Sequence, residues 1–243
     1  MRTSLVIMKR ELQGYFSTPL AYVFLFVFLF FANFLTFRSP FFEARQADLR
    51  IFFDVLPVLF IFLVPAIGMR LWAEERKSGT IEMLFSLPVR VGEAVLGKFL
   101  AAWVFIGASL LLTFPMIVTV NYLGSPDNGV IAAGYLGAFF LSGCYLAVSM
   151  FCSSISSSQV VSFILSVMAC TVFVFADYPS VLVVLQKFAS PGMIEAVENM
   201  SFVVHFESIR RGVIEFTDIT FYVFFIAGWI SAACVVLHGR REA

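Results

Sequence analysis

Six long apolar stretches dominate the sequence and limit the folds that it can adopt. A membrane-spanning helix needs roughly 17–25 mainly apolar residues to cross about 30 Å of hydrocarbon. The chain has 243 residues, of which 60% are hydrophobic and 13% charged. A single soluble core cannot bury that much apolar surface, so we predict an all-α integral membrane protein and no soluble enzyme. The single transmembrane domain covers residues 1–243, with spans at residues 20–37, 51–69, 99–122, 130–151, 160–176 and 221–237.

The distribution of Lys and Arg predicts the orientation of the spans. Basic residues concentrate on the cytoplasmic side of multi-spanning proteins. Here they are more numerous on the side of residues 1–19, 70–98 and 238–243 than on the opposite side. An even number of spans then places both termini in the cytoplasm. Lys98, at the mouth of the third window, is expected to extend its ammonium group to the water interface. The formal net charge of zero argues against nucleic acid as a partner.

The six windows lack residues on which several classes of membrane protein depend. None carries an Asp, Glu, Lys, Arg or His at mid-membrane, where secondary carriers and pumps usually place such groups. Residues 92–98 match the phosphate-binding pattern GxxxxGK, but Phe99 stands where the motif needs a Mg²⁺-binding hydroxyl. The four cysteines lack metal-site spacing and are interpreted as packing residues. We therefore expect no catalytic, cofactor or metal site on this chain, and any ATP hydrolysis on a second polypeptide.

Small residues crowd the start of the fourth window, where Gly134 and Ala138 form a small-xxx-small pair. Such pairs let helix backbones approach closely in lipid. Internal packing and a dimer seam are both compatible with the pattern, and internal packing is the preferred interpretation. Pro57 and Pro65 in the second window and Pro115 in the third remove backbone donors and are expected to kink those helices.

The segment between the second and third windows, residues 72–90, carries the strongest functional signal. Glu74 and Glu75 open it, and acidic residues favour the N-terminal end of a helix. Gly79 is a natural break, and an apolar face at helical spacing follows until Pro88 ends the run. We predict a short amphipathic helix on the cytoplasmic surface, held at both ends by membrane helices. Such an element would pass a push from a docked soluble protein to the spans.

The pattern of this segment resembles the cytoplasmic coupling segment of ABC-2-type permeases, the membrane subunits of ABC exporters. Five residues match the coupling pattern, namely Glu75, Arg76, Gly79, Thr80 and Glu82, and Glu74, Lys77 and Pro88 flank it. The resemblance implies the six-helix fold of type V exporters in a bacterial inner (plasma) membrane. It also implies a homodimer, or a dimer with a paralogue, that binds two copies of a separate ABC ATPase holding ATP and Mg²⁺.

The two remaining segments fit the same layout. Residues 1–18 mix apolar and basic side chains and are expected to form an interfacial helix. The resemblance implies that this is a connecting helix beside the ATPase, and a plain anchor with a basic end fits the residues equally well. Residues 177–220 are too polar to span and are expected to form outer re-entrant helices before the last span. In this segment His205, Glu207 and Arg210 are candidate gate contacts, but ordinary packing and capping are the preferred interpretation. The stretch from Ser190 to Ile214 is also similar to a gliding-motility-associated subgroup of these permeases.

Two functions from different classes fit these observations. The first is an ATP-driven exporter permease, and the second is a mechanotransmission subunit that acts on an outer-facing auxiliary protein without moving a substrate. A secondary carrier or channel is a third reading, which ion-driven flux without an ATPase would support. The substrate is not indicated, because Phe-rich spans suit contact with membrane lipid as well as an amphiphilic cargo.

Overall fold

The fold is described by a computed structural model that covers residues 2–39, 41, 48–82, 89–178, 181, 183 and 191–241. Within these residues all regular structure is helical, in agreement with the all-α prediction. The helices are α1 (Arg2–Ser17), α2 (Pro19–Arg38), α3 (Arg50–Gly68), α4 (Arg70–Ser78), α5 (Val91–Leu111), α6 (Phe114–Leu123), α7 (Asn128–Ile155), α8 (Gln159–Val174), α9 (Pro191–Glu198), α10 (Phe202–Arg210) and α11 (Phe216–Arg241).

Five helical stretches are long and apolar enough to cross a membrane: Pro19–Arg38, Arg50–Ser78, Val91–Leu123, Asn128–Ile155 and Phe216–Gly239. They correspond to five of the six predicted windows. The window at residues 160–176 forms α8, which is apolar but only 16 residues long. At 1.5 Å per residue it spans about 24 Å, so the sixth span stays a prediction.

The helices extend beyond several of the predicted windows. Helix α5 begins at Val91 rather than at residue 99, and α11 begins at Phe216 rather than at residue 221. The added turns carry polar or charged residues, which a hydropathy window excludes although they continue the helix. The third window is also broken, since Leu112 and Thr113 separate α5 from α6 and Pro115 lies in the first turn of α6. The predicted distortion at Pro115 is therefore confirmed, whereas α3 continues as one helix through Pro57 and Pro65.

Helix α7 lies at the centre of the bundle, and its small residues face other helices of the same chain. A Cβ atom added at Gly134 would lie 2.5 Å from the Phe53 ring of α3. One added at Gly137 would lie 2.8 Å from Ile209 of α10. A Cβ at either position would force the facing side chain to shift, so glycine lets these helices pack this closely. The internal-packing interpretation of the small residues is therefore confirmed for Gly134 and Gly137.

Helix α1 packs along the first half of α5. A Cβ added at Gly97 would lie 2.9 Å from the Ile7 side chain and from the Ser4 carbonyl oxygen. Further along both helices, the rings of Tyr15 and Phe105 stack with their centroids 5.2 Å apart. These contacts attach α1 to α5 over most of its length. Its predicted position in the membrane interface remains a prediction.

The junction of α3 and α4 has the closest helix approach of this kind. A Cβ added at Gly68 would lie 2.3 Å from the Ser149 Cβ of α7, so Gly68→Ala should destabilise the protein by about 1–3 kcal/mol through overpacking. Gly228 of α11 has open space around it, and Gly228→Ala should be neutral or slightly stabilising because alanine favours helices. Denaturant-induced unfolding in detergent micelles would compare the two variants.

A rescue experiment separates a local clash from a general effect. If the clash with Ser149 is the cause, the double variant Gly68→Ala/Ser149→Gly should lose less stability than the sum of the losses in the two single variants. Equal stability of Gly68→Ala and Gly228→Ala would contradict the packing described for this junction.

Candidate coupling site

Helix α4 follows α3 after a single residue, and α7 fixes the direction of the chain at that point. The Ser153 hydroxyl of α7 accepts hydrogen bonds from the backbone N–H groups of Trp72 (3.1 Å) and Ala73 (3.0 Å). It donates to the Met69 carbonyl oxygen at 2.9 Å. The first N–H groups of a helix have no partner within the helix. Ser153 therefore serves as an N-terminal cap that comes from a different helix.

Arg76 of α4 in turn binds the C-terminal end of α7. Its guanidinium donates to the carbonyl oxygens of Ser154 (3.0 Å) and Ile155 (2.9 Å), the last two residues of α7. These carbonyls have no acceptor role inside α7, and a cation at a helix C-terminus is favoured by the helix dipole. Helices α4 and α7 thus satisfy each other's free backbone groups.

Lys98 joins α4 to two further helices. Its ammonium nitrogen lies 2.7 Å from Glu75 Oε1 of α4 and 3.3 Å from Glu11 Oε1 of α1. The Trp72 ring lies 5.4 Å from the same nitrogen. Only 4% of the Lys98 side chain is exposed, so the expectation that it reaches water is wrong. A buried ammonium needs compensating charge, and the two carboxylates provide it.

The buried Lys98 ammonium influences the pKa of the Glu11 carboxyl. Burial alone raises the pKa of the Glu11 carboxyl, but Lys98 and Arg10 outweigh it, and the pKa is lowered overall. Glu11 therefore stays ionised. The Glu75 Oε2 atom is buried without a hydrogen-bond partner among the described residues. It faces the same cluster, which borders an open cavity of about 320 Å³ lined by Glu11, Tyr15, Arg70, Glu74, Glu75 and Lys98.

At the opposite end of the bundle, an ion pair attaches α10 to α3 and a hydrogen bond attaches it to α11. Arg210 pairs with Asp54 of α3, and Glu207 pairs with Arg211. His205 Nδ1 lies 2.7 Å from Asp218 Oδ1 of α11. Each of the three predicted outer residues therefore has a partner within the chain. This arrangement supplies the packing contacts that were the alternative to a gate, and the gate role stays a prediction.

A comparison with protein-family models matches residues 13–237 to the ABC-2 family transporter proteins. The chain belongs to the ABC-2 family. No curated protein sequence matches it closely enough to count as a relative. Family membership and the apolar helices identify a multi-pass membrane protein, a permease of the ABC transporter class. The likeness to the gliding-motility-associated subgroup remains a prediction.

The predicted coupling residues of this ABC-2 permease fall into two groups. Glu74, Glu75 and Arg76 are half-buried and bind partners in the chain, since Arg70 holds Glu74 by two hydrogen bonds of 2.7 and 3.1 Å. The exposed group is Lys77, Gly79, Thr80 and Glu82. Pro88 lies outside the described residues.

Within the described residues of the segment, 72–82 and 89–90, the course of the permease chain differs from the prediction in one respect. Glu74 and Glu75 do not open a helix, because α4 begins at Arg70 and they lie in its middle. Its N-terminal donors are capped by Ser153 instead of by nearby acidic residues, a contact that no local pattern reveals. The break at Gly79 is confirmed, since this residue has a φ of +72°. That left-handed conformation favours glycine and ends the helix. The rest of the predicted apolar face, at residues 83–88, lies outside the described residues.

Removing the buried cation should destabilise the permease strongly. Lys98→Met leaves the Glu11 and Glu75 carboxylates without their shared partner, and breaking a buried ion pair costs about 3–5 kcal/mol. Lys77→Met removes an exposed lysine of α4 and should change stability by less than about 0.5 kcal/mol. Denaturant-induced unfolding in micelles measures both changes.

Neutralising the carboxylates in the same permease tests the cause of the loss. Because a buried ionic cluster replaced by neutral groups of similar size is often tolerated, Lys98→Met combined with Glu11→Gln and Glu75→Gln should recover much of the lost stability. A triple variant that is less stable than Lys98→Met would show that the carboxylates do not depend on Lys98.

Proposed function

We propose that the chain is the membrane subunit of an ATP-driven exporter in a bacterial inner membrane, with both termini in the cytoplasm. Two permease chains, identical or paralogous, would bind two copies of a separate ABC ATPase. ATP and Mg²⁺ would be held by the ATPase, and no catalytic residue is assigned to this chain. The family match supports the permease role, and the arrangement around α4 supports the route of coupling.

The observation that carries this proposal is the contrast between the two sides of the coupling segment. Residues 77–80 and Glu82 are exposed and form the surface available to a docked ATPase. The preceding turns of α4 are bound to α7 through Arg76 and Ser153 and to α5 and α1 through Glu75 and Lys98. The exposed residues of the segment are therefore available to a partner, and the preceding turns of α4 are fixed to α1, α3, α5 and α7.

The proposed mechanism uses these attachments in sequence. ATP binding closes the ATPase pair and displaces the exposed residues of the segment. Because α4 is bonded to the end of α7 and to Lys98 on α5, the displacement reaches these helices as a movement of packed bodies. A route at the interface of the two permease chains then opens outward. The outer helices α9 and α10 would act as its lid, with His205, Glu207 and Arg210 in the contacts that hold the lid closed.

Two classes of variant test the proposal. Glu82→Lys changes the exposed surface and should reduce recovery of the ATPase in a mild-detergent pull-down of the tagged chain. Arg76→Gln weakens the α4–α7 connection behind that surface. It should leave ATPase recovery near wild type but lower ATP hydrolysis by the recovered complex by at least about tenfold, the effect of losing one charge-assisted hydrogen-bonded contact of about 1.5–3 kcal/mol.

A matched control places the same charge change elsewhere on the chain. Glu215→Lys makes the same charge change at an exposed position on the other side and should affect neither readout. Failure to recover any ATPase with the wild-type chain in several detergents would overturn the proposal and favour a carrier or channel. Recovery of the ATPase with an outer-facing protein, and ATP hydrolysis without movement of any substrate, would favour the mechanotransmission alternative.

A further inference from the structure

An apolar groove runs between α5 and α11, away from the coupling site. Its volume is about 560 Å³, and Phe140 of α7 contributes to its floor. Small residues on both helices, among them Gly92 of α5 and Ala227 of α11, leave the space of the groove between them. The ring of Trp103 is held in the wall by stacking on Phe139, with centroids 4.4 Å apart, and by a 2.9 Å hydrogen bond to the Phe139 carbonyl oxygen. The groove is therefore built into the packing of the bundle.

The length of the groove matches one leaflet of a bilayer. It follows α5 from Gly92 to Trp103, which corresponds to about 16 Å at 1.5 Å per residue. Half of a hydrocarbon core of about 30 Å is about 15 Å. Both walls are helices that are long and apolar enough to span a membrane. An extended acyl chain of the surrounding leaflet is thus an occupant of suitable length and polarity.

An exposed basic residue lies at one end of the groove. Arg90 precedes α5 and is exposed, two residues before Gly92 of the groove lining. Glu93 is the acidic residue closest in sequence to Arg90. Basic residues at such helix ends attract the anionic head groups of lipids. A phosphate at this end and an apolar chain in the groove would satisfy both parts of the site.

We propose that this groove binds an anionic phospholipid, with its acyl chain between α5 and α11 and its phosphate beside Arg90. A second copy of the chain is the alternative occupant, which the filled variants below distinguish from lipid. The proposal concerns the resting membrane subunit and does not depend on the proposed exporter activity.

A second groove on α5 provides an internal comparison. It has a volume of about 500 Å³ and is lined by residues such as Val104, Leu111 and Ala132. The sequence contains no charged residue between Phe99 and Asp127, nor within α7. This groove is therefore apolar without a basic end, and it should show no preference for lipid charge.

Native mass spectrometry of the purified full-length chain tests the proposal. With phosphatidylglycerol and phosphatidylethanolamine added in equal amounts, wild type should retain phosphatidylglycerol preferentially. Arg90→Gln should reduce that preference by about fivefold, the contribution expected from one basic residue. Ala227→Phe fills the groove and should abolish retention. Ala132→Phe fills the second groove, also at an exposed alanine, and should behave as wild type.

Fluorescence quenching locates the lipid independently. Phosphatidylglycerol with brominated chains should quench tryptophan emission more than brominated phosphatidylcholine does in wild type, because Trp103 lines the groove. This difference should persist in Ala132→Phe and disappear in Ala227→Phe. The wild-type comparison keeps the proposal testable even if a filled variant does not fold.

Three results would overturn the proposal. The first is equal retention of the two lipids by wild type. The second is unchanged retention in Ala227→Phe. The third is a dimer that dissociates in Ala227→Phe while lipid retention is unaffected, which would identify a second copy of the chain as the occupant.

Discussion

The burial of Lys98 is the constraint on which the predicted cytoplasmic end of the molecule depends. An ammonium group with 4% of its side chain exposed is tolerated only beside compensating charge. That charge comes from Glu75 on α4 and Glu11 on α1. The three helices therefore cannot move independently without separating a buried charge from its partners. The ion pairs contribute to specificity of position more than to net stability, because desolvation offsets much of their attraction.

A second set of contacts makes the position of α4 depend on α7. Ser153 binds the start of α4, and the Arg76 guanidinium binds the end of α7. Both contacts satisfy backbone groups that a helix end would otherwise leave to water. A displacement of α4 must therefore carry the end of α7 with it or expose these groups. This is a physical reason why an amphipathic segment between two spans is suited to coupling.

The sequence predicts the apolar helices well, because lipid exposure and core packing both demand the long runs of apolar residues that hydropathy detects. It predicts their ends less well, since the first turns of α5 and α11 are polar. A local pattern predicts the coupling residues, but the partners that Glu75 and Arg76 bind are distant in the chain. Nothing near Glu75 or Arg76 indicates Lys98 or Ser154, because those contacts connect residues far apart in the chain. The signal for Lys98 was a lysine at the edge of an apolar window, which equally describes a side chain that reaches water.

Helices α3 and α7 also connect the two ends of the molecule. At one end, α3 holds α10 through Asp54 and Arg210. In the middle, the Tyr145 hydroxyl of α7 donates to the Pro57 carbonyl oxygen of α3 at 2.9 Å. At the other end, Gly68 lies against Ser149. Close-packed interiors transmit strain instead of absorbing it, so a movement imposed at α4 reaches the base of α10 through a pair of helices in contact along their length. In the proposed mechanism, coupling and outer opening would require no flexible element between the two ends, only a change in how this pair packs against its neighbours.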